Sequence, residues 1–266
     1  MSEIKYIPFE EESEEIKTRV TRYWTERAES FFDQRQHELH SRKAQKWKDE
    51  ILGQIGGAFP EVLEDLKDGS DRQLKILDVG CGAGFFTVLL GKEGFDVMGV
   101  DLTEEMVREA ERLIDMNGPY KRNVHVMPMD AESLSFDDET FDVVVTRNLT
   151  WTLPHPIEAY REWHRVLKKG GLFLNFDAEY AKGAHSLNAM DNLAHKNISE
   201  KLKDECHEIY HMLTISALKR PEWDKEVLRQ IGFLDVTVDV NFCDRIFSEK
   251  DEFYIPDRMF MIAARK

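Results

Sequence analysis

Three observations predict an α/β protein built on a mainly parallel seven-stranded sheet with helices on both faces. Short apolar runs ending at turn residues recur between Leu74 and Asp177: LKILDVG, FDVMGVD, VHVMPMD, FDVVVTRN and LFLNFD. Helical patterns separate most of them, and strands joined by helical crossovers pair in parallel. Two further strand candidates, LDVTVDVNF and RMFMIAAR, close the chain. Strands covered on both faces need continuous apolar runs rather than alternation, and these segments have them.

Residues 1–12 read as a loose lead-in. Ile16, Val20, Tyr23/Trp24 and Phe31 recur at helical spacing and predict a helix from Glu14 to Phe32. Ala44, Trp47, Ile51 and Ile55 mark a second helix from Ser41, with Gly56-Gly57 as its end. This opening region is too polar to fold alone and must pack on something else. A helix over Gly84–Glu93 follows the first strand. Thr103 reads as the N-cap of the next helix, with Glu104 and Glu105 in the turn where the helix dipole favours acids. Asn117-Gly118-Pro119 stops that helix near Met116. Pro156 suits the first position of IEAYREWHRVL, and Gly170-Gly171 is its expected stop. After Asp177 the rhythm breaks. Leu187, Met190, Ala194 and Ile198 mark one helix face, and Leu202, Cys206, Ile209 and Leu213 another. Trp223–Ile231 is a further helix, and the last two strands form a long hairpin. The expected organisation is a helical lid (1–57), a ligand-binding core (58–177), a helical insertion capping the substrate (178–220), and a C-terminal helix and strand pair completing the core (221–266).

The strongest chemical signal is ILDVGCGAGFF. Gly80, Gly82 and Gly84 lie between a strand and a helix, where glycines allow a sharp turn and close approach of a ligand. The spacing is G-x-G-x-G. A dinucleotide site needs its third glycine at position 85, which is Phe85, so a nicotinamide-dependent oxidoreductase is disfavoured. Asp78 precedes the loop, where a carboxylate is awkward beside a pyrophosphate and suits a cationic ligand.

ILDVGCGAG resembles the first motif of the class I S-adenosylmethionine-dependent methyltransferases, small-molecule enzymes of the methyltransferase type 11 kind. The resemblance extends over residues 74–177, with later motifs in order. It implies a Rossmann-like core, S-adenosyl-L-methionine as cofactor and S-adenosyl-L-homocysteine as product. Asp78, Gly80, Cys81 and Gly82 would form the glycine-loop part of the cofactor site. Asp101, ending the second strand, would hold the ribose, with Leu102 and Met106 beside it. Asp130 in MDAESLSF would receive the adenine amino group, and Ala131 would supply a backbone donor. Arg147 and Asn148, in RNLTWTL, would lie near the transferable methyl. Lys169 stands where proline is common in the segment resembling RVLKKGGLF, a departure confined to a loop.

The acceptor side rests on weaker signals. Tyr23 and Arg27 on the first helix would reach the cofactor if that helix folds over it as a lid, Arg27 by pairing with the methionine carboxylate; the alternative is a core-facing Tyr23 and a solvated Arg27. Trp24, Trp151, His185 and His207 are candidates for the acceptor pocket. Loops at the carboxyl ends of parallel strands carry ligands, which favours Trp151. His155, between two prolines, is a candidate general base, set against the reading of a helix-start turn residue. His207 and His211 share a helix face, but no HExxH pattern accompanies them, and no metal is expected. Cys81 is read as a small residue in a tight turn rather than a reactive thiol.

A net charge of −15 argues against nucleic-acid substrates and anionic membrane surfaces. No apolar run reaches membrane-spanning length, and the acidic N-terminus lacks a signal-peptide core. The three scattered cysteines suit a reducing cytoplasm. The leading expectation is a methyltransferase acting on a small-molecule acceptor, as monomer or homodimer; the alternative is a non-catalytic cofactor-binding or scaffold module on the same fold.

Overall fold

The computed structural model describes residues 10–62, 74–120, 122–180, 193–195 and 198–266. Two helices open the chain: α1 (Glu10–Leu39) and α2 (Arg42–Ala58). The core follows as β1 (Lys75–Val79), α3 (Phe85–Lys92), β2 (Asp96–Asp101), α4 (Glu104–Asn117), β3 (Val124–Pro128), β4 (Phe141–Arg147), α5 (Pro156–Val166) and β5 (Leu167–Ala178). Then come α6 (Glu200–Met212), α7 (Glu222–Ile231), β6 (Leu234–Asp239), α8 (Phe242–Ile246) and β7 (Met259–Arg265).

The seven strands form one sheet in the order β3-β2-β1-β4-β5-β7-β6. Neighbours from β3 to β5 are parallel, and β7 runs antiparallel between β5 and β6. The chain works outward from β1 to β3, then returns to place β4 against the other side of β1. That reversal opens a crevice at the carboxyl ends of β1 and β4, where ligands bind in open α/β sheets.

Alternation along the strands sends side chains to two cores. On one face Ile76, Val143, Val145, Leu174 and Phe176 pack with α1, α2, α3, α6 and α8 around Trp47. Trp47 is fully buried and meets Phe86 and Phe176 edge-on at 5.3 and 5.2 Å. On the other face Leu77, Val79, Val144 and Phe173 pack with Tyr160 and Trp163 of α5 and Leu228 of α7.

Four boundaries differ from expectation. The first helix extends to Leu39, because Phe32, Arg35 and Glu38 continue its buried face beyond Phe31. α2 runs through Gly56-Gly57, with Ile55 and Trp47 holding its buried face against the core, so packing overrides the glycine stop signal. Gly170-Gly171 do not end α5; the helix stops at Val166 and the glycines lie inside β5, where Gly170 takes φ +72° and the pairing with β4 is irregular between Phe141 and Val143. The terminal strands are joined not by a simple hairpin but by residues 240–258, which carry α8. Leu187 and Met190, expected on an insertion helix, lie outside the described residues.

Candidate functional site

The glycine loop turns at the end of β1. Gly80 and Gly82 adopt left-handed backbone at φ +66° and +52°. A Cβ on Gly80 would sit 2.7 Å from the Leu149 side chain, and one on Gly82 would sit 3.0 Å from Phe31 of α1. Both positions therefore need glycine for conformation and for space.

Two carboxylates flank the loop. Asp101, at the end of β2, accepts the Gly82 N–H at 2.9 Å and the Thr103 N–H at 3.0 Å. It ties the loop to the start of α4. A carboxylate has about four acceptor sites, so about two remain open. Burial raises its pKa against these hydrogen bonds. Asp78 is 2% exposed and accepts the Thr87 hydroxyl at 2.7 Å. Burial pushes its pKa up to about 7, the hydrogen bonds from Thr87 opposing it. Cys81 is buried, and burial drives its thiol well above the ordinary range, so it is no nucleophile.

The loop opens into a cavity with an empty volume of about 1630 Å³, its open mouth included. Tyr23, Trp24, Asp78, Gly80, Cys81, Gly82, Asp101, Leu102, Met106, Asp130, Ala131, Arg147, Asn148 and Trp151 all line it. Asn148 takes φ +57°, a left-handed conformation that asparagine tolerates better than most residues. Its N–H donates to Phe176 O at 2.8 Å and its Oδ1 accepts the Tyr180 hydroxyl at 2.7 Å. Trp151 is oriented from behind: its N–H donates to Asp177, itself clamped by the buried Arg220 at 2.9 Å.

Asp130 is more occupied than expected. Its Oδ1 accepts the Glu132 N–H at 2.9 Å, and its Oδ2 takes the Lys17 ammonium of α1 at 2.8 Å. Lys17 also reaches Glu132 at 2.6 Å. Partial burial pulls the Lys17 amine down, but its hydrogen bonds to Asp130 and Glu132 outweigh it and leave its pKa raised. Arg19 on α1 grips Glu205 of α6 with two hydrogen bonds, at 2.9 and 2.8 Å. The first helix is thus fastened across the cavity at both sides.

Three expected residues stand elsewhere, and a fourth is not among the described residues. Arg27 is buried but does not line the cavity; its Nη1 donates to Ser30 at 2.9 Å. Two turns on, Arg35 lines the wall in its place. His155 stands at the start of α5 outside the lining, with its backbone N–H on Glu132, while Leu153 and Pro154 face the cavity. His207 pairs with His211 at 3.0 Å on the outer side of α6. One residue along a helix turns the side chain by about 100°, so Cys206 and Tyr210 face the cavity instead. His185 lies outside the described residues. Among the described residues, no group of three or more His, Cys, Asp or Glu could hold a metal ion.

Sequence reasoning missed several wall residues. Phe31 lies in the last expected turn of the helix, and Arg35 lies beyond its expected end. Tyr180 follows β5, and Phe247, Phe253, Ile255 and Asp257 come from the β6–β7 connection. The tail of the α1 apolar stripe was the signal for the first pair. Nothing local marked the others.

Comparisons with known proteins agree with this architecture. A methyltransferase domain model matches residues 77–175. An uncharacterised protein of Haemophilus influenzae is 30% identical over 171 residues, 63% of this chain and 61% of that protein. The chain therefore spans about three-fifths of that relative's length. The demethylmenaquinone methyltransferase of Geobacillus stearothermophilus is 27% identical over 221 residues, 80% of this chain and 88% of that enzyme. Among solved structures, a SAM-dependent methyltransferase from Archaeoglobus fulgidus superposes with a TM-score of 0.52 at 17% identity, covering 86% of this chain and 98% of that one. Phosphoethanolamine N-methyltransferase 2 of Haemonchus contortus, solved with S-adenosyl-L-methionine, gives 0.52 at 18% identity over 87% of this chain and 60% of that one. At those identities the two structures speak for the fold. Residues 77–175, which carry the glycine loop and both strand-end acids within the sheet, thus match a methyltransferase domain.

Proposed function

We propose that this protein is a methyltransferase that binds S-adenosyl-L-methionine and moves its methyl group to a small-molecule acceptor in the same cavity. The observation that carries this reading is the left-handed Gly80–Gly82 turn anchored by Asp101 at a cavity walled by Tyr23, Trp24 and Phe31. The residues present fit the cofactor. Asp101 keeps open lone pairs for two vicinal hydroxyls, and Leu102, Met106 and Met129 form an apolar slot for a purine beside Asp130 and Ala131. Asp78, buried with one hydroxyl partner, suits an ammonium group.

The cofactor supplies a methyl already activated on a positively charged sulfur. The chain's own work is then alignment and exclusion of water. Phe31, Tyr23 and Trp24 on α1 cover the loop, and the ties of Lys17 and Arg19 hold that cover down. Asn148, fixed by its left-handed backbone and by Tyr180, lines the cavity. Burial drives the Tyr23, Tyr180 and Tyr210 hydroxyls well above 10 and the Cys206 thiol to about 11. These groups stay protonated at neutral pH and act as hydrogen-bond donors and walls rather than bases. No role is assigned to His155, His185 or His207. The net charge of −15 disfavours polyanionic acceptors, and the three free, buried thiols suit a reducing cytoplasm.

Calorimetric titration of the full chain with S-adenosylhomocysteine tests the reading. Saturable one-to-one binding, with no binding of nicotinamide dinucleotides, is expected; absence of binding would refute it.

A further inference from the structure

Next to Asn148 the cavity wall carries a charge arrangement that methyl transfer alone does not require. Arg35 of α1 and Arg147 at the end of β4 both line the cavity. Both send their ion pairs to one carboxylate, that of Glu38: Arg35 at 2.7 Å and Arg147 at 3.0 Å. Glu38 is wholly buried, and the two guanidiniums hold its carboxyl below the ordinary range in spite of that burial. Lys43, the next cation behind Glu38, already pairs with Asp251 at 2.7 Å. Among the described residues, two guanidiniums, that of Arg35 buried and that of Arg147 half-buried, thus pair with the one carboxylate of Glu38.

Two further features mark the pair. Among the described residues, the Nε of Arg35 and the Nε of Arg147 are buried and find no hydrogen-bond partner, although a guanidinium presents five donors and a buried unmet donor costs about 1–3 kcal/mol. Burial brings the Arg35 pKa down to about 10, with Arg147 and Arg27 adding to the fall and Glu38 opposing it. Aromatic faces complete the setting: Arg35 lies 4.8 Å over Phe31, and Arg147 lies 4.5 Å over Trp47 and 5.1 Å over Phe85. The pair also lies within electrostatic reach of Tyr180. Tyr180 stands beside Trp151, which stacks at 4.6 Å on Tyr210. The cluster therefore borders the chamber beyond Asn148, whose walls are flat and aromatic.

We propose that Arg35 and Arg147 take the acid group of the methyl acceptor, and that this acceptor is a small planar molecule bearing a carboxylate. The proposal rests on the methyltransferase reading above. An incoming carboxylate can pair with these two cavity-lining guanidiniums while an aromatic body lies against Trp151, Tyr180 and Tyr210.

A carboxylate can also come from the amino-acid end of the cofactor, and the experiment separates the two sources. The full chain is saturated with S-adenosylhomocysteine and titrated with benzoate and with its neutral isostere benzamide. Benzoate is expected to bind at least tenfold more tightly. Arg35→Gln and Arg147→Gln should each erase that preference, and Arg35→Lys should restore part of it. In parallel, Arg35→Gln is titrated with S-adenosylhomocysteine and with 5′-methylthioadenosine, which lacks the carboxylate. A tenfold loss for the first and none for the second assigns the guanidinium to the cofactor and overturns the proposal. Equal binding of benzoate and benzamide, or binding of neither, also overturns it while leaving the methyltransferase reading in place. Failure of S-adenosylhomocysteine to bind the unsubstituted protein overturns both. If a glutamine variant does not fold, discrimination between benzoate and benzamide by the unsubstituted protein still decides.

Discussion

Binding of S-adenosylhomocysteine should depend on pH through Asp78, in a direction and by an amount that the structure sets. Burial raises this carboxyl to about 7 from an ordinary 3.8. At pH 5.5 the unliganded protein therefore carries mostly the protonated form, which gives an ammonium group no charge to meet. If only the ionised form binds, the apparent dissociation constant is the intrinsic one divided by the ionised fraction. That fraction is about 3% at pH 5.5 and about half at pH 7.0, so affinity should rise roughly 15-fold over the interval, about 1.6 kcal/mol. An α-amino group stays protonated across this range, so the change belongs to the protein. Binding should release protons, visible in calorimetry as a heat that varies with buffer ionisation enthalpy. The sign for folding is opposite. A carboxyl raised in the folded state contributes stability below its unfolded pKa near 4 and loses it as pH climbs to about 7. The unliganded protein should weaken, and the liganded protein gain relative to it, over the same window. Asp78→Asn should flatten both dependences. A dissociation constant unchanged between pH 5.5 and 7.0, or the same slope in Asp78→Asn, would refute the reasoning.

Three other outcomes are expected. Asp101→Ala should weaken S-adenosylhomocysteine binding at least 100-fold, since two charge-assisted hydrogen bonds are worth roughly 1.5–3 kcal/mol each; an unchanged affinity in a folded variant removes the ribose role. Lys17→Met should speed amide exchange in the first turns of α1 and hasten ligand release while shifting stability by only about 1 kcal/mol, because its bonds to Asp130 and Glu132 are partly solvated; identical exchange rates would show that packing alone holds the helix down. Arg220→Met should cost about 3–5 kcal/mol by leaving Asp177 and Asp224 buried without their cation; a melting temperature within 2 °C of the parent would contradict that account.

Local signals carried much of the cavity. The glycine loop, Asp78, Asp101 and Asn148 are marked by their place at strand ends, and the short-range geometry of a strand-to-helix turn brings them to one crevice. Trp151 follows for the same reason, standing just after β4. Histidine was the misleading signal. His155 and His207 are neighbours of cavity residues in sequence, yet one step along a turn or a helix directs each away. Arg27 and Arg35 lie on the same face of α1, two turns apart, and periodicity alone does not say which of them stands over the loop.

Sequence alone determined the α/β class, the parallel core and the place of the glycine turn, because each depends on patterns within about ten residues. Tertiary structure decided which side chains share the cavity. Arg35, Arg147 and Glu38 converge from α1 and β4, Lys17 reaches across to Asp130, and the β6–β7 connection contributes Phe247, Phe253 and Asp257. Those meetings depend on the register of long-range packing. Burial then set the charge state of Asp78, and no stretch of sequence encodes desolvation until the whole chain has closed around it.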